Sequence, residues 1–158
     1  VQVLGELGGF TPGKWEQPLL QTGQIPFGVS ICYESLFPTL WRRQAKQGAK
    51  FFVQITNDAW FFDTDAPYQH LAVAVVRAVE LRRPVLRAAN TGISAVIAPT
   101  GRLLARAELN TQAVLTANTA LPLGQQTSFY VDWGDWFAWV CAAIYFTILL
   151  SVMVFAYE

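Results

Sequence analysis

The end of the chain contains 22 consecutive residues without a charged side chain, residues 136–157. A helix rises about 1.5 Å per residue, so a run of this length can cross a bilayer core of about 30 Å. Trp133 and Trp136 at one end and Tyr157 at the other are aromatic residues of the kind that lie at membrane interfaces. A buried core helix is the alternative, but such helices rarely stay apolar on every side over this length. We therefore expect residues 131–158 to form a C-terminal transmembrane helix.

The composition supports contact with lipid and argues against two classes of function. Only 14% of the residues are charged, against about 25% in a typical soluble domain. Lys and Arg number 11, as do Asp and Glu, so the chain has no net charge and offers no basic face for nucleic acid. One His and two Cys are too few for a zinc cage of protein ligands, and we expect no metal and no other cofactor. No Lys or Arg closely flanks the apolar run, so charge does not predict its orientation.

Residues 1–56 have the pattern of an α/β domain. Residues 1–24 are rich in Gly and Pro, which predicts a connecting loop with at most one short strand. Residues 26–32 and 51–56 are runs of β-forming residues, and a helix over 38–47 lies between them. Strand, helix and strand in this order predict a parallel βαβ unit.

The next segment continues the same alternation up to about residue 130. A helix begins after Pro67 and extends to about Arg83, because Pro84 cannot continue it. The fold class we expect for residues 1–130 is therefore α/β, with a site where the strands end in loops. Further strands are expected at residues 85–89, 93–98, 102–108 and 113–117.

Cys32 is the strongest candidate for a catalytic residue. It ends a predicted strand and is followed by Tyr33 and Glu34, so the chain turns there from sheet into loop and helix. Such an elbow exposes a nucleophile and directs backbone N–H groups at a developing oxyanion. A free thiol with a pKa of about 8.5 needs a base or a depressed pKa to attack. The alternative is a buried structural cysteine, which is a common role of free Cys.

Five sequence motifs relate the chain to a known family. The chain contains, in order, ICYE at 31–34, NDAW at 57–60, YQH at 68–70, RAVELRRPVLRAANTG at 77–92 and SAVIAPTG at 94–101. Together they resemble the carbon–nitrogen hydrolase (nitrilase) superfamily and, within it, the apolipoprotein N-acyltransferase family, over about residues 8–120. The resemblance implies the C-terminal half of a nitrilase-type αββα sandwich in residues 1–130, followed by one transmembrane helix in 131–158.

The same resemblance implies a Glu–Lys–Cys triad in which Cys32 forms a thioester. The acyl donor would be a phospholipid and the acceptor the N-terminal amine of a diacylglyceryl-cysteine lipoprotein, on the periplasmic side of the bacterial inner membrane. Only Cys32 matches a triad position, because Glu6, Lys14 and Glu16 lie in no segment that resembles the catalytic ones. We therefore expect the triad Glu and Lys to lie upstream, and this chain to be inactive alone.

Four further residues are candidates for supporting or substrate-binding roles. Tyr33 offers its backbone N–H to an oxyanion, while Glu34 orients the site, receives the substrate amine or caps the following helix. Asp58 either belongs to the site or forms an Asx turn with its own backbone. Trp60 contacts lipid, lines an entry for an acyl chain or packs against the cysteine loop, with packing favoured. Phe62 occupies a position where a small residue is expected.

The remaining polar residues are assigned structural roles. We expect His70 to form a structural hydrogen bond rather than to act as a base, and Asp63 and Asp65 to be solvated rather than to bind metal. Arg77 and Arg87 are expected to pair with carboxylates such as Glu80, whereas Arg82 and Arg83 are expected to be solvated, and Arg42 and Arg43 to lie on an exposed helix face.

Two other functions remain open at this point. One is a membrane-tethered amidase or nitrilase that hydrolyses a C–N bond, which a polar pocket around Cys32 would favour. The other is a binding protein without catalytic activity, which the lack of a matching Glu and Lys would favour.

Overall fold

The computed structural model describes residues 16–62, 64–124 and 126–155. Four residues discussed above lie outside the described residues: Glu6, Lys14, Asp63 and Tyr157. The helices and strands are β1 (Leu20–Thr22), β2 (Ile25–Ile31), α1 (Pro38–Lys46), β3 (Phe51–Asn57), α2 (Ala66–Leu81), β4 (Val85–Asn90), β5 (Ala95–Ile97), β6 (Leu103–Arg106), α3 (Phe129–Trp133) and α4 (Trp136–Phe155). Two short 3-10 helices follow β2 and β3, at Cys32–Leu36 and Asp58–Phe61.

The six strands form one mixed sheet in chain order, from β1 to β6. The central strands β2, β3 and β4 are parallel, with Val29 opposite Val53 and Val53 opposite Leu86. This confirms the predicted βαβ unit, and α2 adds a second crossover between β3 and β4. The outer strands β1, β5 and β6 pair antiparallel with their neighbours.

The helices α1 and α2 pack on one face of this sheet, and the core lies between them and the strands. Gly28, Phe52 and Val85 lie side by side on neighbouring strands and are buried on this face. Trp41 of α1 stacks on Phe52, with ring centroids 4.8 Å apart. A Cβ atom at position 28 would overlap the Phe52 ring and the Gln44 amide, so only Gly lets α1 approach this closely.

The opposite face of the sheet is apolar and partly open. Phe27 and Phe51 stack there at a centroid distance of 5.0 Å, and the side chains of Ile31 and Ile55 are 56% and 45% exposed. An apolar sheet face normally packs against another layer. One sheet with helices on a single face agrees with the predicted half of an αββα sandwich.

Two strand predictions differ from the structure. No strand forms at residues 113–117, and the strand expected at 93–98 covers only Ala95–Ile97. Val114 is 93% exposed, so this β-forming sequence has neither a partner strand nor a surface to pack on. Strand propensity depends on such packing more than on the backbone itself.

The prediction that Arg83 is solvated is wrong, whereas Arg82 is exposed as expected. Arg82 ends α2 in the left-handed conformation with φ 51°, and the next side chain turns beneath the helix. Nε of Arg83 donates to the carbonyl of Ala49 at 2.7 Å, and Nη2 donates to the carbonyl of Gln126 at 2.6 Å. Arg83 is therefore almost completely buried, with backbone carbonyls as its partners.

Arg42 also departs from the expected exposed helix face. It is half-buried, and its guanidinium donates to the carbonyls of Val131 at 2.7 Å and Asp132 at 2.8 Å. These carbonyls lie at the C-terminal end of α3, where a cation is favoured by the helix dipole. Arg42 thus joins α1 of the domain to the segment that leads into α4.

The helix α4 is long and apolar enough to cross a membrane. Its segment Trp136–Val154 has a mean hydropathy of 2.3, and none of that segment is buried against the rest of the chain. The hydroxyls of Thr147 and Ser151 donate to the carbonyls four residues earlier, at 2.8 and 2.9 Å. Such internal bonds satisfy polar groups that lipid cannot.

Candidate active site

Cys32 lies where β2 ends and the 3-10 helix Cys32–Leu36 begins. Its backbone has φ 50°, in the left-handed region that residues other than Gly rarely adopt. The side chain is half-buried and not in a disulfide. The elbow expected from the sequence is therefore present, one residue after the end of the strand.

The two residues after Cys32 have distinct environments. Oε2 of Glu34 accepts a hydrogen bond from the backbone N–H of Ile31 at 2.7 Å, so Glu34 caps the start of the 3-10 helix. The backbone N–H of Tyr33 lies in the first turn of this helix, where N–H groups have no partner within the helix. The Tyr33 ring lies 6.1 Å from the rings of both Phe61 and His70.

The backbone carbonyl of Cys32 is surrounded by three polar side chains. Oγ of Ser35 donates to it at 3.2 Å, and Nε2 of Gln54 at 3.5 Å. Nε2 of His70 lies 3.2 Å from the same oxygen. These groups come from the elbow, from β3 and from α2, so three elements converge on the backbone of the candidate nucleophile.

His70 links this carbonyl to a buried ion pair. Nδ1 of His70 lies 3.0 Å from Oδ1 of Asp58, and Oδ2 of Asp58 lies 2.7 Å from Nη2 of Arg87. Thr56 donates to Asp58 Oδ1 at 3.0 Å, and Nε of Arg87 donates to the carbonyl of Ile93 at 3.1 Å. Asp58, His70 and Arg87 are each more than nine-tenths buried.

The ionisation of Asp58 sets the direction of these hydrogen bonds. Burial raises the pKa of the Asp58 carboxyl, but the hydrogen bond from His70 and the charge of Arg87 outweigh it and hold that pKa below its ordinary value. An ionised carboxylate only accepts, so Nδ1 of His70 carries a proton. In the neutral ring Nε2 then accepts from the Gln54 amide, whose other hydrogen is directed at the Cys32 carbonyl. In the charged ring Nε2 donates to that carbonyl.

Below the elbow, a row of polar side chains crosses the three parallel strands. Ser30, Gln54 and Arg87 occupy neighbouring positions in register and are buried on the helix-covered face. Each keeps one polar atom without a hydrogen-bond partner among the described residues: Ser30 Oγ, Gln54 Oε1 and Arg87 Nη1. Unpaired polar groups are costly in a core, so a polar row at this place is unusual for a sheet interior.

The loop after β3 places Asp58 inside the protein and Trp60 outside. Asn57 forms the Asx-type bond, because its Oδ1 accepts from the N–H of Ala59 at 3.2 Å, so Asp58 is free to point inward. Trp60 is 77% exposed, and the expectation that it packs against the cysteine loop is wrong. Phe61 points toward the site instead, with its ring 5.8 Å from the His70 ring. A tight turn directs successive side chains to different sides, so Trp60 points outward.

Phe62 ends this 3-10 helix in an unfavourable backbone conformation. Its φ is 49° and its ψ −146°, a combination that Gly adopts far more readily than Phe. Its side chain is 87% exposed. The expectation that this position suits a small residue agrees with the backbone geometry, and Trp60 and Phe62 together form an exposed aromatic tip.

Several residues of the site could not be assigned from the sequence. Ser35 and Gln54 have no motif signal. Arg87 pairs with a carboxylate inside the domain as expected, but the sequence did not identify Asp58 as that carboxylate. Glu80 instead pairs with Arg77 at 2.8 Å, as expected. In the described parts of the chain, no group of three or more His, Cys, Asp or Glu side chains could hold a metal ion.

The chain belongs to the carbon–nitrogen hydrolase family, whose pattern matches residues 4–129. Among curated relatives, the apolipoprotein N-acyltransferase of Geobacter metallireducens is 43% identical over 142 residues, which are 90% of this chain and 27% of that protein. The protein of the same name from Methylococcus capsulatus is 42% identical over 139 residues, 87% of this chain and 27% of that protein. The chain thus spans about a quarter of the length of these relatives.

Solved structures show the same fold. A carbon–nitrogen hydrolase from Helicobacter pylori superimposes with a TM-score of 0.55 at 18% identity, over 63% of this chain and 42% of that one. Saccharomyces cerevisiae Nit3, of the nitrilase superfamily, gives 0.55 at 26% identity, over 65% and 40%. An amidase from Nesterenkonia, with acrylamide added at its active-site cysteine, gives 0.51 at 26% identity, over 63% and 41%.

Proposed function

We propose that this chain is part of a membrane N-acyltransferase that uses Cys32 as its nucleophile. The observation that carries the proposal is the position of Cys32 on an elbow after β2, in a chain similar to proteins named apolipoprotein N-acyltransferase. The modified cysteine of the Nesterenkonia amidase supports a nucleophilic cysteine on this fold. The apolar helix α4 supports a location in the membrane.

The proposed reaction proceeds in two acyl transfers. The Cys32 thiolate attacks an ester carbonyl of a phospholipid, a C–S bond forms, the C–O bond to glycerol breaks, and the lysophospholipid leaves with a proton. The N-terminal amine of a diacylglyceryl-cysteine lipoprotein then attacks the thioester. A C–N bond forms, the C–S bond breaks, and the amine proton passes to a base while the thiolate is restored.

The described residues near Cys32 fit this chemistry. The N–H of Tyr33 is available to a tetrahedral oxyanion next to the thiol, and such donors lower the barrier of acyl transfer. Glu34 and Asp58 support the elbow and the loop beside it rather than the reacting atoms. The exposed aromatic tip of Trp60 and Phe62 offers an apolar contact for a phospholipid acyl chain or for the lipid surface.

The proposal includes a base and an oxyanion partner from outside these 158 residues. A Glu that takes the thiol proton and a Lys that supports the oxyanion would come from an upstream segment, and the same segment would cover the open apolar face of the sheet around Ile31 and Ile55. Residues 1–130 would then complete a catalytic domain on the periplasmic side of the inner membrane, with 131–158 as its anchor. The chain alone would be inactive.

The test uses the full-length protein with phospholipid vesicles and a diacylglyceryl peptide that has a free N-terminal amine. We expect a hydroxylamine-labile acyl group on Cys32, and loss of both this group and N-acylation in Cys32→Ser. Cys141→Ser, which changes the cysteine in α4, serves as the matched control and should keep both. N-acylation that persists in Cys32→Ser would overturn the mechanism, and release of free fatty acid without amide formation would favour a hydrolase.

A further inference from the structure

We propose that Arg87, Asp58 and His70 form a positioning chain that holds the backbone carbonyl of Cys32 and thereby fixes the thiol in its reactive geometry. The inference rests on the proposed role of Cys32 as the nucleophile. It gives these three residues a role in catalysis without contact with the substrate.

The backbone of Cys32 has a conformation that needs restraint from its surroundings. A residue with a side chain at φ 50° costs free energy, and such a conformation persists only where the surrounding structure restrains it. Rotation about the Cα–C bond of Cys32 would swing its carbonyl away and change the direction of the side chain relative to the helix that follows. Groups that bind this carbonyl therefore restrain the elbow itself.

Polar contacts connect that carbonyl to the backbone of other elements. His70 Nε2 lies 3.2 Å from the Cys32 oxygen, and its other ring nitrogen lies 3.0 Å from Asp58. The charged ring donates to this carbonyl directly. The neutral ring acts through Gln54, whose amide donates both to His70 Nε2 and to the Cys32 carbonyl. Asp58 is held at 2.7 Å by Arg87, which is bonded in turn to the carbonyl of Ile93 at 3.1 Å. The positioning chain thus runs from the loop after β4, across the end of β3 and the start of α2, to the elbow.

The contacts of the His70 ring fit a positioning role better than general-base catalysis. Nε2 of His70 lies 3.0 Å from Ser35 Oγ and 3.2 Å from Gln54 Nε2 as well as near the Cys32 carbonyl. Both ring nitrogens are therefore occupied by neighbours that belong to the support of the elbow. A catalytic dyad would instead direct one ring nitrogen at the thiol.

The buried ion pair of Asp58 and Arg87 costs free energy of desolvation. A buried ion pair seldom stabilises a protein more than apolar side chains of similar size would, so stability alone does not account for Asp58 and Arg87. Burial lowers the pKa of Arg87, while the charges of Asp58 and of the Cys32 thiolate raise it. Asp58 therefore helps to keep the buried guanidinium charged.

A substitution at Gly92 would disturb the positioning chain without removing any of its three side chains. A Cβ atom at position 92 would overlap the carboxylate of Asp58, so Gly92→Ala should displace that carboxylate from His70 and Arg87. His70→Leu removes the contact with Cys32 directly, and His70→Gln keeps one polar group at the same place. Arg83→Lys is the matched control, because Arg83 is equally buried but bonds only to backbone carbonyls distant in sequence from Cys32.

The experiment compares these variants in the full-length protein. The readouts are the alkylation rate of Cys32 by iodoacetamide, followed on its own peptide by mass spectrometry, kcat and KM for N-acylation, and the thermal midpoint. We expect Gly92→Ala and His70→Leu to lower the alkylation rate and kcat by about 10- to 100-fold with KM little changed, the effect of misplacing a reacting group by about 1 Å. His70→Gln should recover part of the loss, and Arg83→Lys should lower only the thermal midpoint.

The outcomes separate this inference from the proposed function. If folded Gly92→Ala and His70→Leu keep the alkylation rate and the kcat of the wild type, the positioning role is overturned. This holds even if Cys32→Ser abolishes activity. Equal losses of alkylation rate and kcat in Arg83→Lys would also overturn the positioning role, because they would show an effect of stability alone. The alkylation rate needs only the thiol, so it tests the positioning chain even if N-acylation persists in Cys32→Ser.

Discussion

Oδ2 of Asp58 lies 2.7 Å from Nη2 of Arg87, and the side chains of both residues are almost completely shielded from solvent. The two residues are 29 positions apart and meet because β3 and β4 are parallel neighbours. Arg87 lies within β4 opposite Gln54, and its side chain reaches Asp58, which directly follows β3. The carboxylate and the guanidinium neutralise each other in a region from which water is excluded. Either charge alone would be strongly unfavourable there.

Arg87→Met should therefore destabilise the protein by about 3–5 kcal/mol, the range found when one partner of a buried pair is removed. The cause is the uncompensated charge of Asp58, so the double variant Asp58→Asn with Arg87→Met should recover part of the loss. The measurement is the midpoint of unfolding by urea in detergent, followed by tryptophan fluorescence.

The control for this prediction is the exposed pair of Arg106 and Glu108. Arg106→Ala should change stability by about 1 kcal/mol or less, as is usual for ion pairs at a surface. If Arg87→Met is no more destabilising than Arg106→Ala, the buried pair does not have the energetic role assigned to it.

Stability should fall on acidification through the ionisation of Asp58. Its pKa in the folded protein is below the ordinary value of 3.8, so the folded state holds the proton less tightly than the unfolded state. The contribution of ionised Asp58 to stability is therefore complete above the ordinary pKa and is lost as the pH falls through the lower pKa of the folded protein. The thermal midpoint of the wild-type protein should decrease more steeply below about pH 4 than that of Asp58→Asn.

Glu80 should show the opposite pH dependence and serves as the internal contrast. Burial raises its pKa above the ordinary value of 4.5, Arg77 partly opposes this shift, and Asp135 adds to it. Its contribution is present below the ordinary pKa and is lost as the pH rises through the folded value. As the pH rises from 4.5 to neutrality, Glu80→Gln should lose less stability than the wild type. A steeper loss in the variant would contradict a raised pKa of Glu80.

Phe62→Gly should raise stability rather than lower it. Phe62 has φ 49° and an almost fully exposed side chain, so the substitution relieves strain and removes little packing. Such strain costs about 1–3 kcal/mol, partly offset by the greater freedom that Gly gives the unfolded chain. The thermal midpoint in detergent checks the prediction, with Trp60→Ala as the control for loss of an exposed aromatic side chain without a change of backbone strain.

The sequence was sufficient to predict the elements that depend on local pattern. β2, α1, β3, α2 and β4 follow from runs of β-forming residues and from Pro and Gly at the ends of the helices, and each begins or ends within about two residues of its predicted bounds. The elbow at Cys32 follows from the same pattern. The hydrogen-bonding role of His70 followed from its position at the start of a helix among apolar residues.

Contacts between distant residues could not be predicted in the same way. The pairing of Asp58 with Arg87 depends on the register of β3 against β4, and the burial of Arg83 depends on the left-handed end of α2 at Arg82. Neither follows from composition or periodicity, because both are set by how separate elements dock. The exposure of Trp60 likewise depends on which of three consecutive aromatic residues the turn directs inward.

Gln44→Leu should destabilise the edge of the sheet, although the two side chains are similar in size. The strand β1 pairs with β2 only as far as Phe27, and beyond it Gln44 takes the place of a neighbouring strand. Its Oε1 accepts from the N–H of Val29 at 2.8 Å, and its Nε2 donates to the carbonyl of Val29 at 3.1 Å. Leu would leave both backbone groups unpaired in a half-buried position, at a cost of about 1–3 kcal/mol. Gln47→Leu, at the exposed C-terminal end of α1, is the matched control and should change stability by about 0.5 kcal/mol or less. Hydrogen exchange at the amide of Val29 distinguishes the two variants: it should accelerate in Gln44→Leu, and unchanged protection there would show that Gln44 does not close this edge.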